Sequence, residues 1–316
     1  MKIDEKIKEK IKESLEKKSS KYFRKHIYDA CLDSKYIDAN GKPTIDLICL
    51  SFDDFNNIIT NFFSCLSKLH SNNNCLLFNN IVENYFKYCS GSTKNSVELL
   101  IKKEKEKFSK KFEIVYNFIR DNFGAILQRE NDIYICPYCE RNYINVIEKG
   151  NNSFVKPDLD HYYPKSLYPF LACSIENLIP SCQVCNSRLK GGKDFYKIEH
   201  INPLKHRIFD KIRFDYNEAG IFIKNNLSLN QNEKNYLDTF KIQEIYSTHI
   251  EIKDDIKSKF DKYNNIKRKH LINCCLTLSE NEILEIIFHE YEEENKKHPL
   301  RKLKKDLFEK IKNENT

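Results

Sequence analysis

Glycine and proline are scarce in this chain of 316 residues, at 7 and 8. Few breakers and many charged residues point to long helices. No run of about 18 apolar residues is present, so no membrane span is expected. The opening MKIDEKIKEK is charged and has no apolar segment. It therefore predicts no signal peptide, and the protein is expected in the cytoplasm. No internal repeat is found. A Walker phosphate loop is lacking too. Gly191-Gly192-Lys193 is followed by Asp194 where Ser or Thr is needed, and Ser187 replaces the first glycine. The chain shows no ATPase machinery, so any ATP dependence must come from a partner.

Cysteine, by contrast, is abundant, with 12 residues. In a large chain without a secretion signal these are expected as thiols or metal ligands rather than disulfides. Forty per cent of residues are hydrophobic, enough for a core. The formal net charge is +7 and the pI about 8.6. This permits nucleic-acid binding, and a solvated lysine-rich surface accounts for it equally well.

Apolar spacing predicts helices over 3–25, 44–69 (a stretch that leaves room for an interruption), 75–90 and about 96–128. Their aromatics, among them Phe52, Phe55, Phe62, Phe108 and Phe112, read as core. A hairpin-like pattern surrounds the cysteines near 136. Residues 212–216 and 221–224 read as a hairpin around the four-residue turn Asn217–Gly220. Asn230 with Glu233 resembles a capping box, and Ser279 with Glu282 marks another helix start. The basic run at Lys296, Lys297, Arg301, Lys302, Lys304 and Lys305 reads as a solvated face, with nucleic-acid contact as the sharper alternative. Three segments are expected: helical 1–130, a core at 131–206, and a hairpin plus helices at 207–316. The expected fold class is mainly α with a small α+β core.

The central stretch reads CPYCERNY, then PDLDHYYPKSLYPFLACSIENLIPSCQVCNSRLKGGK. Cys136-x2-Cys139 and Cys182-x2-Cys185 have the spacing of two zinc knuckles. Together they complete a closed four-thiolate site with no open position for a substrate, so this zinc is expected to be structural. The remaining cysteines, Cys31, Cys49, Cys65, Cys75, Cys89, Cys173, Cys274 and Cys275, read as buried thiols. Between the knuckles lies Asp160-His161. Asp160 offers a hard oxygen for Mg²⁺ or Mn²⁺. Neutral His161 can take a proton from water. Asn186 follows the last cysteine, so the knuckle fixes its backbone and its amide oxygen can complete the ion's ligands. Asn177 can pin the Asp-His loop. Lys190 stands one turn past Asn186, on the same face, where it can meet a phosphate oxygen. Arg188 and Lys193 are candidate backbone contacts. Tyr162, Tyr163 and Tyr168 read as loop packing before base stacking, and His200 and His206 as structural. Taken singly, a histidine in a loop or an isolated Asp or Asn is more often structural than catalytic. The ordered set is far more specific.

LDHYYPKS and ENLIPSCQVCNSRLKG closely resemble the HNH endonuclease family, in its four-cysteine branch. The resemblance covers about residues 132–205. It implies a ββα-metal core in which Asp160 and Asn186 bind the divalent ion, His161 is the general base and Asn177 braces the loop. The third named position is here Asn186 rather than His. The implied activity is phosphodiester hydrolysis, favouring DNA and leaving 5′-phosphate and 3′-hydroxyl ends. A zinc-dependent nucleic-acid binder that does not cut, and an RNA-specific nuclease, stay open as alternatives. A compact core with large helical flanks is similar to effectors of bacterial anti-phage systems, including Septu-type systems, which implies an ATPase partner subunit.

Overall fold

A computed structural model describes residues 4–17, 23, 26–71, 96–149, 152–224, 228–262, 270, 273 and 298–315. The helix expected over 75–90, the start at Ser279, and Cys75, Cys89, Cys274, Cys275, Lys296 and Lys297 lie outside these residues. The described chain is mainly α, with three two-stranded antiparallel sheets. It divides into two compact units, Met1–Tyr134 with Ile144–Glu199, and Ile135–Tyr143 with His200–Thr316.

In the first unit, helix α1 (Glu5–Glu16) starts where the Asp4 carboxylate accepts from the Lys6 amide. It buries Ile7, Ile11 and Leu15, the residues whose spacing predicts it. The helical stretch expected over 44–69, with room for an interruption, is interrupted. A short α2 (Ile45–Ile48) is followed by a 3₁₀ turn at Phe52–Asp54 and then by α3 (Phe55–Ser71). One local and one long-range hydrogen bond hold the break: Ser51 accepts from the Asp53 amide, and the Phe52 amide donates to Glu176 at 2.8 Å.

Helix α4 (Ser96–Glu130) buries Phe108, Phe112, Val115 and Ile119. The Phe62 ring on α3 lies 5.7 Å from Phe108 and 4.5 Å from Phe170, in the turn Pro169–Leu171. Phe55, Phe62, Phe108 and Phe112 are therefore core, each buried ring contributing about 1.5–3 kcal/mol, whereas Phe52 is only half-buried. Two small hairpins belong to the same unit. Strands β1 (Ile147–Lys149) and β2 (Asn152–Val155) form one. Strands β3 (Asp158–His161) and β4 (Leu178–Ser181) form the other, with Asp160 opposite Ile179 and His161 opposite Leu178. A helical segment, Val184–Lys190, follows β4 directly.

In the second unit, β5 (Arg213–Asn217) pairs with β6 (Gly220–Lys224). Asn217 is opposite Gly220, so the turn has two residues, Glu218 and Ala219, rather than four. Gly220 has φ +126°, a conformation that favours glycine. Helix α5 (Gln231–Thr239) opens on the Asn230–Glu233 capping box, with both reciprocal hydrogen bonds formed. Helices α6 (Ile242–Ser247), α7 (Ile250–Lys262) and α8 (Arg301–Asn315) complete the unit, and α8 packs on β5 and α7. In the described part of the basic run, Lys302 pairs with Asp306 at 2.9 Å, and Arg301, Lys304 and Lys305 are half-buried.

Candidate metal centre and active site

Backbone geometry aims each cysteine pair. In the first, the Cys136 amide donates to the Asn142 carbonyl at 2.9 Å and the Glu140 amide returns to the Cys136 carbonyl at 2.8 Å. Glu140 takes a left-handed φ of +45°, which closes the turn. The Tyr236 hydroxyl donates to the Tyr138 carbonyl and the Tyr246 hydroxyl to the Cys139 carbonyl, at 2.8 and 2.7 Å. In the second pair, Cys182 leaves the end of β4, and its carbonyl accepts from the Asn186 amide at 3.0 Å. The four sulfurs of Cys136, Cys139, Cys182 and Cys185 lie within 4.8 Å of one another. A tetrahedron with Zn–S bonds of about 2.3 Å has edges of roughly 3.8 Å, so a zinc ion fits this cluster with little adjustment. Of the other described cysteines, Cys31 and Cys173 are buried and Cys49 and Cys65 half-buried. Burial pushes the Cys173 thiol up to about 12 and the Cys49 thiol to about 11, so both stay protonated.

His161 ends β3 and is only 8% exposed. Its Nε2 lies 2.9 Å from the Ala172 carbonyl oxygen. A carbonyl can only accept, so Nε2 carries the proton and Nδ1 is the basic nitrogen. Burial, the dominant cause, lowers His161 to about 3, opposed by the bond to Ala172. The ring is therefore neutral at cellular pH. Its centroid is 4.6 Å from that of Tyr116 on α4, whose hydroxyl donates to the Leu159 carbonyl at 3.4 Å.

Asn177 is fully buried. Its Oδ1 accepts from the Tyr163 amide at 2.8 Å, and its Nδ2 donates to the carbonyls of Tyr163 and Leu171, both at 3.1 Å. One side chain thus holds the backbone on both sides of the loop that leaves His161.

Segment Val184–Lys190 is wound as a π-helix, with the Gly191 amide reaching back to the Asn186 carbonyl at 2.8 Å. Such turns recur at functional sites. Asn186 Nδ2 donates to Asp158 Oδ2 at 3.1 Å. Lys190 Nζ donates to Asp160 Oδ1 at 3.0 Å and to the His161 carbonyl at 2.7 Å. Asp160 is 3% and Lys190 2% exposed. Lys190 was expected to meet a phosphate oxygen; here it faces inward, because the buried Asp160 carboxylate needs a counter-charge. Burial lowers the Lys190 pKa and the Asp160 charge opposes that shift. Lys190→Ala would leave Asp160 buried without this cation, at an expected cost of about 3–5 kcal/mol. An unchanged urea midpoint would contradict this account of the pair.

Arg188 and Lys193 are exposed. Tyr162, Tyr163 and Tyr168 are buried in the loop, and Tyr168 donates to Asp194 at 2.9 Å. His200 is half-buried, with Nε2 2.9 Å from the Thr239 hydroxyl, and His206 is exposed. Three participants escape the sequence reading: Asp158, Tyr116 and the Ala172 carbonyl. Only Asp158 carries a sequence signal, as the aspartate two places before Asp160 on a strand.

No helix among the described residues is long and apolar enough to cross a membrane. No family model matches the chain, and no solved structure matches it. Septu protein PtuB of Bacillus thuringiensis is 30% identical over 124 residues, which cover 35% of this chain and 47% of that protein. The chain thus spans about half the length of the curated relative it matches.

Proposed function

We propose that this chain is a zinc-stapled, metal-dependent endonuclease of the HNH type, cutting DNA in the cytoplasm as the effector of an anti-phage defence system. The observation that carries the reading is the placement of His161. Its Nε2–H is held by the Ala172 carbonyl, which leaves Nδ1 as the basic nitrogen, and it follows directly on the buried Asp160. A nucleic-acid binder has no need for a base whose tautomer is fixed in this way. Likeness to a Septu protein supports the defence role. The resemblance to Septu-type effectors extends the proposal to an ATPase partner subunit.

The carboxylate of Asp160 and the amide oxygen of Asn186 are hard donors that suit Mg²⁺ or Mn²⁺, while the four thiolates suit zinc. When bound, the divalent ion supplies positive charge to the phosphoryl oxygens and the leaving oxygen. The protein does the rest. Nδ1 of His161 takes the proton of the attacking water. A phosphate brought close adds negative charge and raises the basicity of the imidazole. Asn177 keeps the loop rigid, and Lys190 holds Asp160 in place. Arg188 and Lys193, being exposed, are suited to contact the nucleic-acid backbone.

The test is a plasmid-nicking assay with Mg²⁺ or Mn²⁺, with and without EDTA, using the chain alone and mixed with the product of any adjacent ATPase gene. Labelled duplex, single-stranded DNA and RNA run in parallel. Ion-dependent DNA cleavage is expected. Binding without cleavage in every condition would favour the non-cutting alternative, and cleavage of RNA alone would move the substrate class.

A further inference from the structure

Side chains alternate along a strand, so Asp158 and Asp160 project from the same face of β3. The segment Val184–Lys190 meets that face with Asn186 and Lys190, four residues apart. The partners match rung by rung, Asn186 on Asp158 and Lys190 on Asp160. The first rung has a directional consequence. An asparagine amide has two nearly isosteric orientations, with nitrogen and oxygen exchanged. Oδ2 of Asp158 accepts this bond, so the nitrogen of the Asn186 amide is the atom that faces Asp158. The oxygen of Asn186 is then turned away from Asp158. With the amide reversed, two N–H groups would point where the oxygen stood, and a cation would meet positive rather than negative charge.

Resting on the nuclease reading of this site, we propose that Asp158 is a positioning residue, which locks the Asn186 amide so that its oxygen is presented to a divalent cation. Asp158 thus acts through Asn186 rather than as a ligand. Groups that orient metal ligands in this way typically influence ion affinity by about 10–100-fold.

Binding of Mn²⁺ to the full chain, followed by electron paramagnetic resonance, tests this without reference to cleavage. Asp158→Ala is expected to weaken Mn²⁺ binding by about 10–100-fold. The double variant Asp158→Ala with Asn186→Ala is expected to bind like Asn186→Ala alone, since a residue acting through Asn186 has nothing left to act on. Asp158→Asn fits the same space, so it guards against loss of fold in the alanine variant. Its amide can donate as well as accept, so it no longer fixes the Asn186 amide and is expected to bind Mn²⁺ more weakly than wild type. Equal binding by wild type and Asp158→Ala overturns the inference. So does a further loss in the double variant, which would make Asp158 a direct ligand, or an Asp158→Asn protein that binds as tightly as wild type. A wild type that binds Mn²⁺ and cuts, beside an unaffected Asp158→Ala, overturns this inference alone. A wild type that neither binds nor cuts overturns the nuclease reading and the inference with it.

Discussion

Replacing His161 with alanine is expected to lower cleavage by about 10²–10⁴-fold, the usual contribution of a positioned general base. Fold and zinc content should remain. The ring is buried against Tyr116, and its removal leaves the Ala172 carbonyl without its donor. That loss costs about 1–3 kcal/mol, within the margin of most domains. His161→Gln serves as the control. Its amide can still donate to Ala172 but cannot take a proton from water at neutral pH. It should therefore melt closer to wild type and be as inactive as the alanine variant. Cleavage at the wild-type rate by a folded His161→Ala protein would sink the mechanism. Recovery of activity in His161→Gln would assign the residue to packing rather than proton transfer.

What could be read in the sequence follows the range over which each interaction acts. Two residues between cysteines, or a dipeptide such as Asp160-His161, are local facts; the first spacing returns as a cluster of four sulfurs and the second as the buried end of β3. The capping box at Asn230 and Glu233 is equally local. The same holds for Ile7, Ile11 and Leu15, which lie on the buried face of α1 as their spacing requires. Lys190 shows where this range ends. Its place on the Asn186 face is a matter of spacing, but its inward turn depends on Asp160, on a different strand. Tyr116 reaches His161 from a helix whose apolar stripe gives no hint of which residue will cover that ring. The Ala172 carbonyl has no residue identity at all, so no motif can announce it. Asn217–Gly220 failed in a simpler way. Turn composition marks where a hairpin reverses, whereas register decides how many residues stay unpaired, and register is set by Phe214 and Ile221 packing inward.

Cys182→Ser is expected to cause loss of zinc and of most folded protein. A serine hydroxyl is a poor substitute for a thiolate, and binding at a structural zinc site is worth on the order of 10 kcal/mol of folding free energy. Chelation should have the same effect, as a large fall in melting temperature restored by added zinc but not by magnesium. The consequence for activity follows from the backbone. The Cys182 carbonyl holds the Asn186 amide, and the segment that begins there also carries Lys190 to Asp160. When the second knuckle loosens, both rungs that face β3 lose their support. Cleavage should therefore fall in step with zinc content, even at saturating Mg²⁺. His161→Ala, by contrast, should keep zinc and stability while losing cleavage. The two variants together separate scaffold from chemistry. A protein that keeps its melting temperature after complete removal of zinc would show that the four thiolates do not hold the fold.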